Sequence, residues 1–378
     1  MISDNRASVP AANRPFGEGN RRIISSKHHL LVFMLVLAGS VCRADEIAVA
    51  GLAGIVGKSF KATDSLQVGI EASQDATECL QGLTWPPAAF DTTCDAPWAV
   101  GCGDALVRFP SPVASGNERN DSVSMEWFVV RDQQQQPIRA KAVVVVHESG
   151  SSMTVGRMFA RGLHHRGFHT FLLHLPYYGQ RRAGARPDDK LFFTLIRQAI
   201  ADVRRARDAV ASLPLVDSSH IALQGTSLGG FVSATSAAID DRYDSVFITL
   251  AGGDLFDMIQ NGQKDTAKVR EKLTRAGLDG EQLRALVYRI EPTRIAHRLN
   301  PQRTWLYSGT FDTVVPLKNA TALATAANLE SSHHIKLLAN HFTGIIFLPS
   351  ILDHMRDRIL HVAPADQPQP ADQLEADQ

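Results

Sequence analysis

Cysteine is scarce: four residues in 378, irregularly spaced, make neither a disulfide scaffold nor a paired zinc site. Excess charge of either sign is also missing. The 39 Lys and Arg balance 39 Asp and Glu, which argues against a whole-protein basic surface for nucleic acid. Long apolar runs are confined to Leu30–Val41, so a polytopic membrane protein is excluded. There is no internal repeat and no collagen-like composition. What is present is a globular mixture, 44% hydrophobic and 21% charged. That is enough for a sizeable core in one large domain or two ordinary ones.

The run LLVFMLVLAGSV (30–41) follows Arg21, Arg22 and Lys27. A basic segment, a short apolar segment and a small-residue cut site make a secretory leader. We expect residues 1–44 to be that leader, cut after Ala44, and the protein to be secreted or periplasmic. An uncut N-terminal membrane anchor is the alternative, although the run falls short of the roughly 20 residues of a span. No stable membrane insertion is expected after cleavage. Loss of six basic and two acidic residues leaves a net charge of −4. It also leaves Cys79, Cys94 and Cys102, of which two are expected to pair and the third to be a buried thiol. Residues 45–105 form an N-terminal extension whose role stays open between a cap, an edge extension and a partner surface. Residues 362–378, rich in Pro, Gln, Asp and Ala, read as a disordered tail.

From Leu106 onward strands and helices alternate. VRFPSP (107–112) and SVSMEWFVV (122–130) read as strands. KAVVVVHES (141–149) is a β-branched run of the kind buried on both faces. FHTFLLHLP (168–176), HIALQG (220–225), SVFITLAGG (245–253), RTWLYSG (303–309) and HHIKLLA (333–339) continue the series. Between them, 191–213 carries Ile196, Ile200, Val203, Ala206 and Val210 at helical spacing, with Arg204, Arg205 and Arg207 expected on the wet side. Residues 254–299 are helical and charged, between the sixth and seventh of these strands. The pattern predicts a doubly wound, mostly parallel α/β sheet, with ligands at the carboxyl ends of its strands.

Those ends carry chemistry. HIALQ runs into Gly225-Thr226-Ser227-Leu228-Gly229-Gly230, a G-x-S-x-G between strand and helix. A serine on so tight a turn needs small neighbours, and its Oγ then projects above the sheet. Asp312 follows the strand LYSG, and His341 follows the last strand. Asp254, after SVFITLAGG, is the rival acid. Serine needs a base and an orienting acid to act as a nucleophile. Ser227, Asp312 and His341 fill those roles in chain order. The oxyanion donors are expected from the N–H of Leu228 and from Glu148 or Ser149 in the loop after KAVVVV. A carboxylate at Glu148 must point away from an oxyanion.

On these residues, and on LPYYGQRR (175–182) after the fourth strand, the segment 106–361 resembles the α/β-hydrolase superfamily, in particular its secreted serine esterases. The resemblance implies an α/β-hydrolase sheet with a helical insert or lid at 254–299, between the sixth strand and the acid strand. It implies hydrolysis of a small-molecule or polymer-derived carboxylic ester through an acyl-enzyme on Ser227, with no metal, no organic cofactor and no nucleic-acid partner. A serine peptidase or amidase of the same fold is one alternative. A non-catalytic binding protein on the same scaffold is the other. Gly57-Lys58-Ser59 is not a phosphate loop, because Leu52 stands where the first glycine belongs.

Overall fold

The computed structural model describes residues 51–182, 184 and 188–361. The expected leader, its cut site, Cys42 and the C-terminal tail lie outside the described residues. Among these residues the strands are β1 (Lys58–Thr63), β2 (Ala89–Asp95), β3 (Ala105–Pro110), β4 (Ser122–Phe128), β5 (Ala140–Val146), β6 (His169–Leu173), β7 (Val216–Thr226), β8 (Ser245–Thr249), β9 (Thr304–Gly309) and β10 (His334–Leu337). They form one sheet in the order β1-β2-β3-β4-β6-β5-β7-β8-β9-β10. The flank from β1 to β4 is antiparallel, as is the β4–β6 pair, and from β6 to β10 every pair is parallel.

The β-branched run of β5 explains the layers. Successive side chains of a strand point to opposite faces. Val144 and Val146 pack with Ile200 and Val203 of α4 (Phe192–Ala211). Val143 and Val145 pack with Phe159 and Leu163 of α3 (Thr154–His164) and with Ile351 and Met355 of α10 (Leu348–His361). Both faces of β5 are therefore sealed. The remaining helices are α1 (Gln74–Leu83), α2 (Glu118–Asp121), α5 (Leu228–Ala238), the insert helices α6 (Leu255–Asn261), α7 (Asp265–Arg275) and α8 (Gly280–Tyr288), and α9 (Leu317–Ala326).

The N-terminal extension is an edge extension of the sheet. Its strands β1 and β2 continue the ladder outward from β3. This arrangement corrects one expectation. Arg204, Arg205 and Arg207 of α4 are buried, not solvated. The extension lies over that face of the helix and supplies Asp64, which takes Arg205 through two contacts of 2.8 and 2.6 Å. Arg204 forks onto Asp240 with two bonds of 2.7 Å and also reaches Asp208 at 3.0 Å. Desolvated arginines persist only with such fixed carboxylate partners.

The expected disulfide is also corrected. Cys79, Cys94 and Cys102 are all free. They sit in three unrelated surroundings: Cys79 faces the Arg289 carbonyl, Cys94 lies in the β2 ladder opposite Lys58 and Val107, and Cys102 lies 3.8 Å from Arg157. Burial pushes the Cys79 thiol up to about 11 and the Cys94 thiol up to about 12. Neither is therefore a thiolate at neutral pH.

Candidate active site

β7 ends at Thr226 and α5 begins at Leu228, leaving Ser227 alone to turn the chain. Its backbone sits at φ 54°, ψ −116°, a conformation that side chains rarely adopt. The turn closes because its neighbours are glycines. A Cβ on Gly225 would run into the Gly229 carbonyl, and one on Gly229 into the Val146 carbonyl. The Ser227 N–H donates to the Thr249 carbonyl at 2.8 Å, which ties the turn to the end of β8.

Ser227 Oγ lies 3.1 Å from His341 Nε2, and His341 Nδ1 lies 2.7 Å from Asp312 Oδ2. Each partner has its own local mount. Asp312 Oδ1 accepts the N–H groups of Val314 and Val315 at 2.8 and 2.9 Å, so its second oxygen is left for the imidazole. Asn340 accepts the N–H groups of Phe342 and Thr343 through Oδ1, at 2.9 and 3.0 Å, and so forms the turn that carries His341. The Asp312 side chain is fully buried, whereas that of His341 is 10% exposed. The arrangement can pass a proton from the hydroxyl to Nε2, with the Nδ1 proton kept on the ring and donated to Asp312, whose carboxylate would compensate the imidazolium. Asp254 stands apart. It caps α6, accepting from the Asp257 N–H at 3.3 Å.

Glu148 turns away from the cleft. Its two oxygens accept the Val155 and Gly156 N–H groups at 3.2 and 3.0 Å, capping the first turn of α3, where a helix dipole favours negative charge. Behind the loop is His147, fully buried and held by desolvation at about 3, hence neutral. Its tautomer follows from its partners. Nε2 accepts the Leu175 N–H at 3.1 Å, so Nδ1 carries the proton and donates it to the Glu148 carbonyl. In a trans peptide the N–H lies opposite the carbonyl, so the N–H of Ser149 turns away from this ring. The Tyr178 hydroxyl donates to the Ser149 carbonyl at 2.9 Å and fixes the next peptide too. Neither clamp was legible in the sequence beyond the presence of PYY after a strand.

Deeper under the same loop, Glu126 is fully buried. Burial opposes its ionisation, but hydrogen bonds from His174 (3.0 Å) and Arg157 (2.6 Å) outweigh it and hold the carboxyl at about 2. Arg157 also donates to the Ser152 carbonyl. A charged network thus holds the far end of this loop, at the Ser152 carbonyl. Among the described residues, no group of three or more His, Cys, Asp or Glu side chains is disposed to hold a metal ion. No described helix is long and apolar enough to cross a membrane.

A strained serine at a strand-to-helix turn, linked through histidine to aspartate at one sheet edge, defines a class: hydrolases built on a doubly wound sheet. The chain has the α/β-hydrolase fold. Residues 163–344 match the profile of the Prolyl oligopeptidase family. An acetyl xylan esterase from Paenibacillus sp. R4 superposes with a TM-score of 0.56 at 15% identity, over 77% of this chain and 96% of that one. Acetyl Xylan Esterase 1 from Thermoanaerobacterium sp. JW/SL YS485 gives 0.50 at 15% identity, over 77% and 96%. A Mycobacterium tuberculosis puromycin-hydrolyzing peptidase gives 0.51 at 15%, over 74% of this chain and 47% of that one. At these identities the likeness is one of fold. No curated protein matches the sequence. Family and fold together support a serine hydrolase of esterase or peptidase type.

Proposed function

We propose that the protein hydrolyses carboxylic esters through an acyl-enzyme on Ser227. The observation that carries this reading is the continuous Ser227–His341–Asp312 relay, at 3.1 and 2.7 Å. Ser227 Oγ attacks the ester carbonyl carbon while His341 Nε2 takes its proton. The negative charge on the carbonyl oxygen falls to the N–H groups of Leu228 and Ser149, with the Glu148 carboxylate occupied elsewhere. The carbon–oxygen bond to the alcohol breaks, and the alcohol leaves with the proton from His341. Water then gives a proton to the same nitrogen, attacks the acyl carbon and releases the acid and a free Ser227. Asp312 stays ionised throughout. The residues of this route need neither a metal nor an organic cofactor. The substrate is a small-molecule or polymer-derived ester. The leader at 1–44 directs it to the secretory route, and 106–361 is the catalytic domain.

The match to a peptidase family favours a second reading, an amide in place of the ester, with the same residues. One experiment tests both. The folded chain and Ser227→Ala are assayed on p-nitrophenyl esters and the matching p-nitroanilides. Ester turnover lost by at least 10⁴-fold in the variant is the expected result. Turnover of anilides above esters would move the reading to a peptidase. A folded wild type that cleaves neither and takes no fluorophosphonate would overturn it in favour of a binding protein.

A further inference from the structure

Ser227 stands between two cavities. One, of about 290 Å³, lies beneath the helical insert and is lined by Ile196, Phe231, Met258, Ile259 and Val269. The other, of about 450 Å³, runs past His341 toward α10 and is lined by Val155, Phe159, Leu250, Ile345 and Leu348. Ser149, Ser227 and Asp265 border both. His341 borders only the second, and Leu228 only the first.

The direction of proton transfer decides which half of an ester goes where. His341 must hand its proton to the departing oxygen, so the leaving group lies on the His341 side. The acyl carbon is bonded to Ser227 Oγ, with its oxygen toward the Leu228 N–H. Its chain then continues away from His341, into the cavity under the insert. We propose that this cavity is the acyl subsite, and that it takes an uncharged, apolar acyl group well beyond acetyl in length. The proposal rests on the reading of Ser227 as nucleophile.

The lining supports the chemical class. Its deep wall is aliphatic and aromatic, and Met258 and Ile259 are buried there. The charged side chains at its border come in both signs: Asp189, Asp265, Lys268 and Lys272. Asp265 and Lys268 pair at 2.9 Å. The mouth therefore offers no net charge to an ionised acid. At about 30 Å³ per heavy atom, the share of a molecule in liquid water, the space holds roughly ten heavy atoms. Each methylene that enters is worth roughly a fourfold gain in kcat/KM until the space is full.

The test crosses two variants with two ester series. Val269→Trp fills the cavity under the insert, and Ile345→Trp fills the other. One series lengthens the acyl chain from acetyl to decanoyl on a constant p-nitrophenol. The other lengthens the alcohol on a constant acyl group. In the wild type kcat/KM rises with acyl length and then breaks. Val269→Trp cuts the octanoate-to-acetate ratio at least tenfold, without changing the dependence on alcohol length. Ile345→Trp does the reverse. Val269→Ala, which needs no new space, moves the break to longer acyl chains and serves if the tryptophan variant does not fold. The proposal is overturned alone if esters are hydrolysed but the two tryptophan variants exchange their effects, or if acyl length has no influence. If the wild type cleaves no ester and takes no fluorophosphonate, the underlying reading has failed.

Discussion

Ser227, Asp312 and His341 each hang from a turn set by residues one to three positions away: Gly225 and Gly229, Val314 and Val315, Asn340 and Thr343. The N-terminal flank is held the other way. Asp64 meets Arg205 across 141 residues of sequence, and Ser65 meets Asp208 across 143. Both regions bury charge, but for different ends. At the sheet edge one carboxylate is left a single free oxygen and aims it at an imidazole. On the flank both oxygens of Asp64 and of Asp208 are spent on tying the N-terminal extension to α4 and to its own backbone. The same ionic chemistry therefore serves reactivity where it is left incomplete and cohesion where it is completed.

Substitutions separate the two uses. The largest effect is expected from Asp312→Asn. The amide keeps the shape but loses the charge that steadies the imidazolium, so kcat should fall about 10⁴-fold. Thermal melting of the same sample should move little. Asp64→Ala should do the opposite. It strands the buried Arg205, also deprives the Trp85 indole of its acceptor, and should lower stability by about 3–5 kcal/mol in urea titrations. The kcat of the surviving folded fraction should stay within about twofold. A large loss of kcat in Asp64→Ala, at full folding, would erase the distinction drawn above.

Acid sharpens the contrast. Desolvation holds His147 at about 3 and His169 and His220 at about 4, against 6.5 in the unfolded chain. Their neutral state stabilises the fold fully above pH 6.5, and that stability is lost as pH falls toward 4. Asp241, pushed up to about 6 by burial, acts with the opposite sign between about 6 and 3.8, and buried Asp202 is raised too, but burial also lowers His164, His174, His334 and His354, so the histidines prevail. Unfolding should therefore take up protons in this window, at about 1.4 kcal/mol per pH unit for each net proton. Urea midpoints at pH 8, 6 and 4.5 read this directly. His147 is the member of this set behind the oxyanion loop. The smallest effect is expected from Glu148→Ala. It removes the cap of α3 and should cost about 1 kcal/mol, with a modest drop in kcat because the loop is loosened.

The division of labour also explains what was legible before the structure. The turn at Ser227, the strand-end positions of Asp312 and His341, and the parallel run of β5 are encoded in short windows, where glycine spacing and β-branching carry the signal. The eight strands from β3 onward follow from that local pattern. The flank does not announce itself in this way. β1 (KSFKAT) and β2 (AFDTTCD) lack an aliphatic run like that of β5, although Phe90, Thr92 and Cys94 point inward at every second position, a period that could have marked a strand. The burial of Arg204, Arg205 and Arg207 could not be read from α4, because their partners other than Asp208 lie in other segments, from Arg242 at 35 residues' separation to Asp64 at 141. The neutral His147 clamp and the cavity under the insert were hidden for the same reason. Both arise from pairings between elements and not from any one of them.

The most direct measurement is to label the folded chain with a fluorophosphonate and locate the adduct by peptide mass spectrometry, beside Asp312→Asn and Ser227→Ala. The account predicts one adduct, on Ser227, formed far more slowly in Asp312→Asn and absent in Ser227→Ala. An adduct on another residue, or equal labelling rates in the wild type and Asp312→Asn, would contradict it.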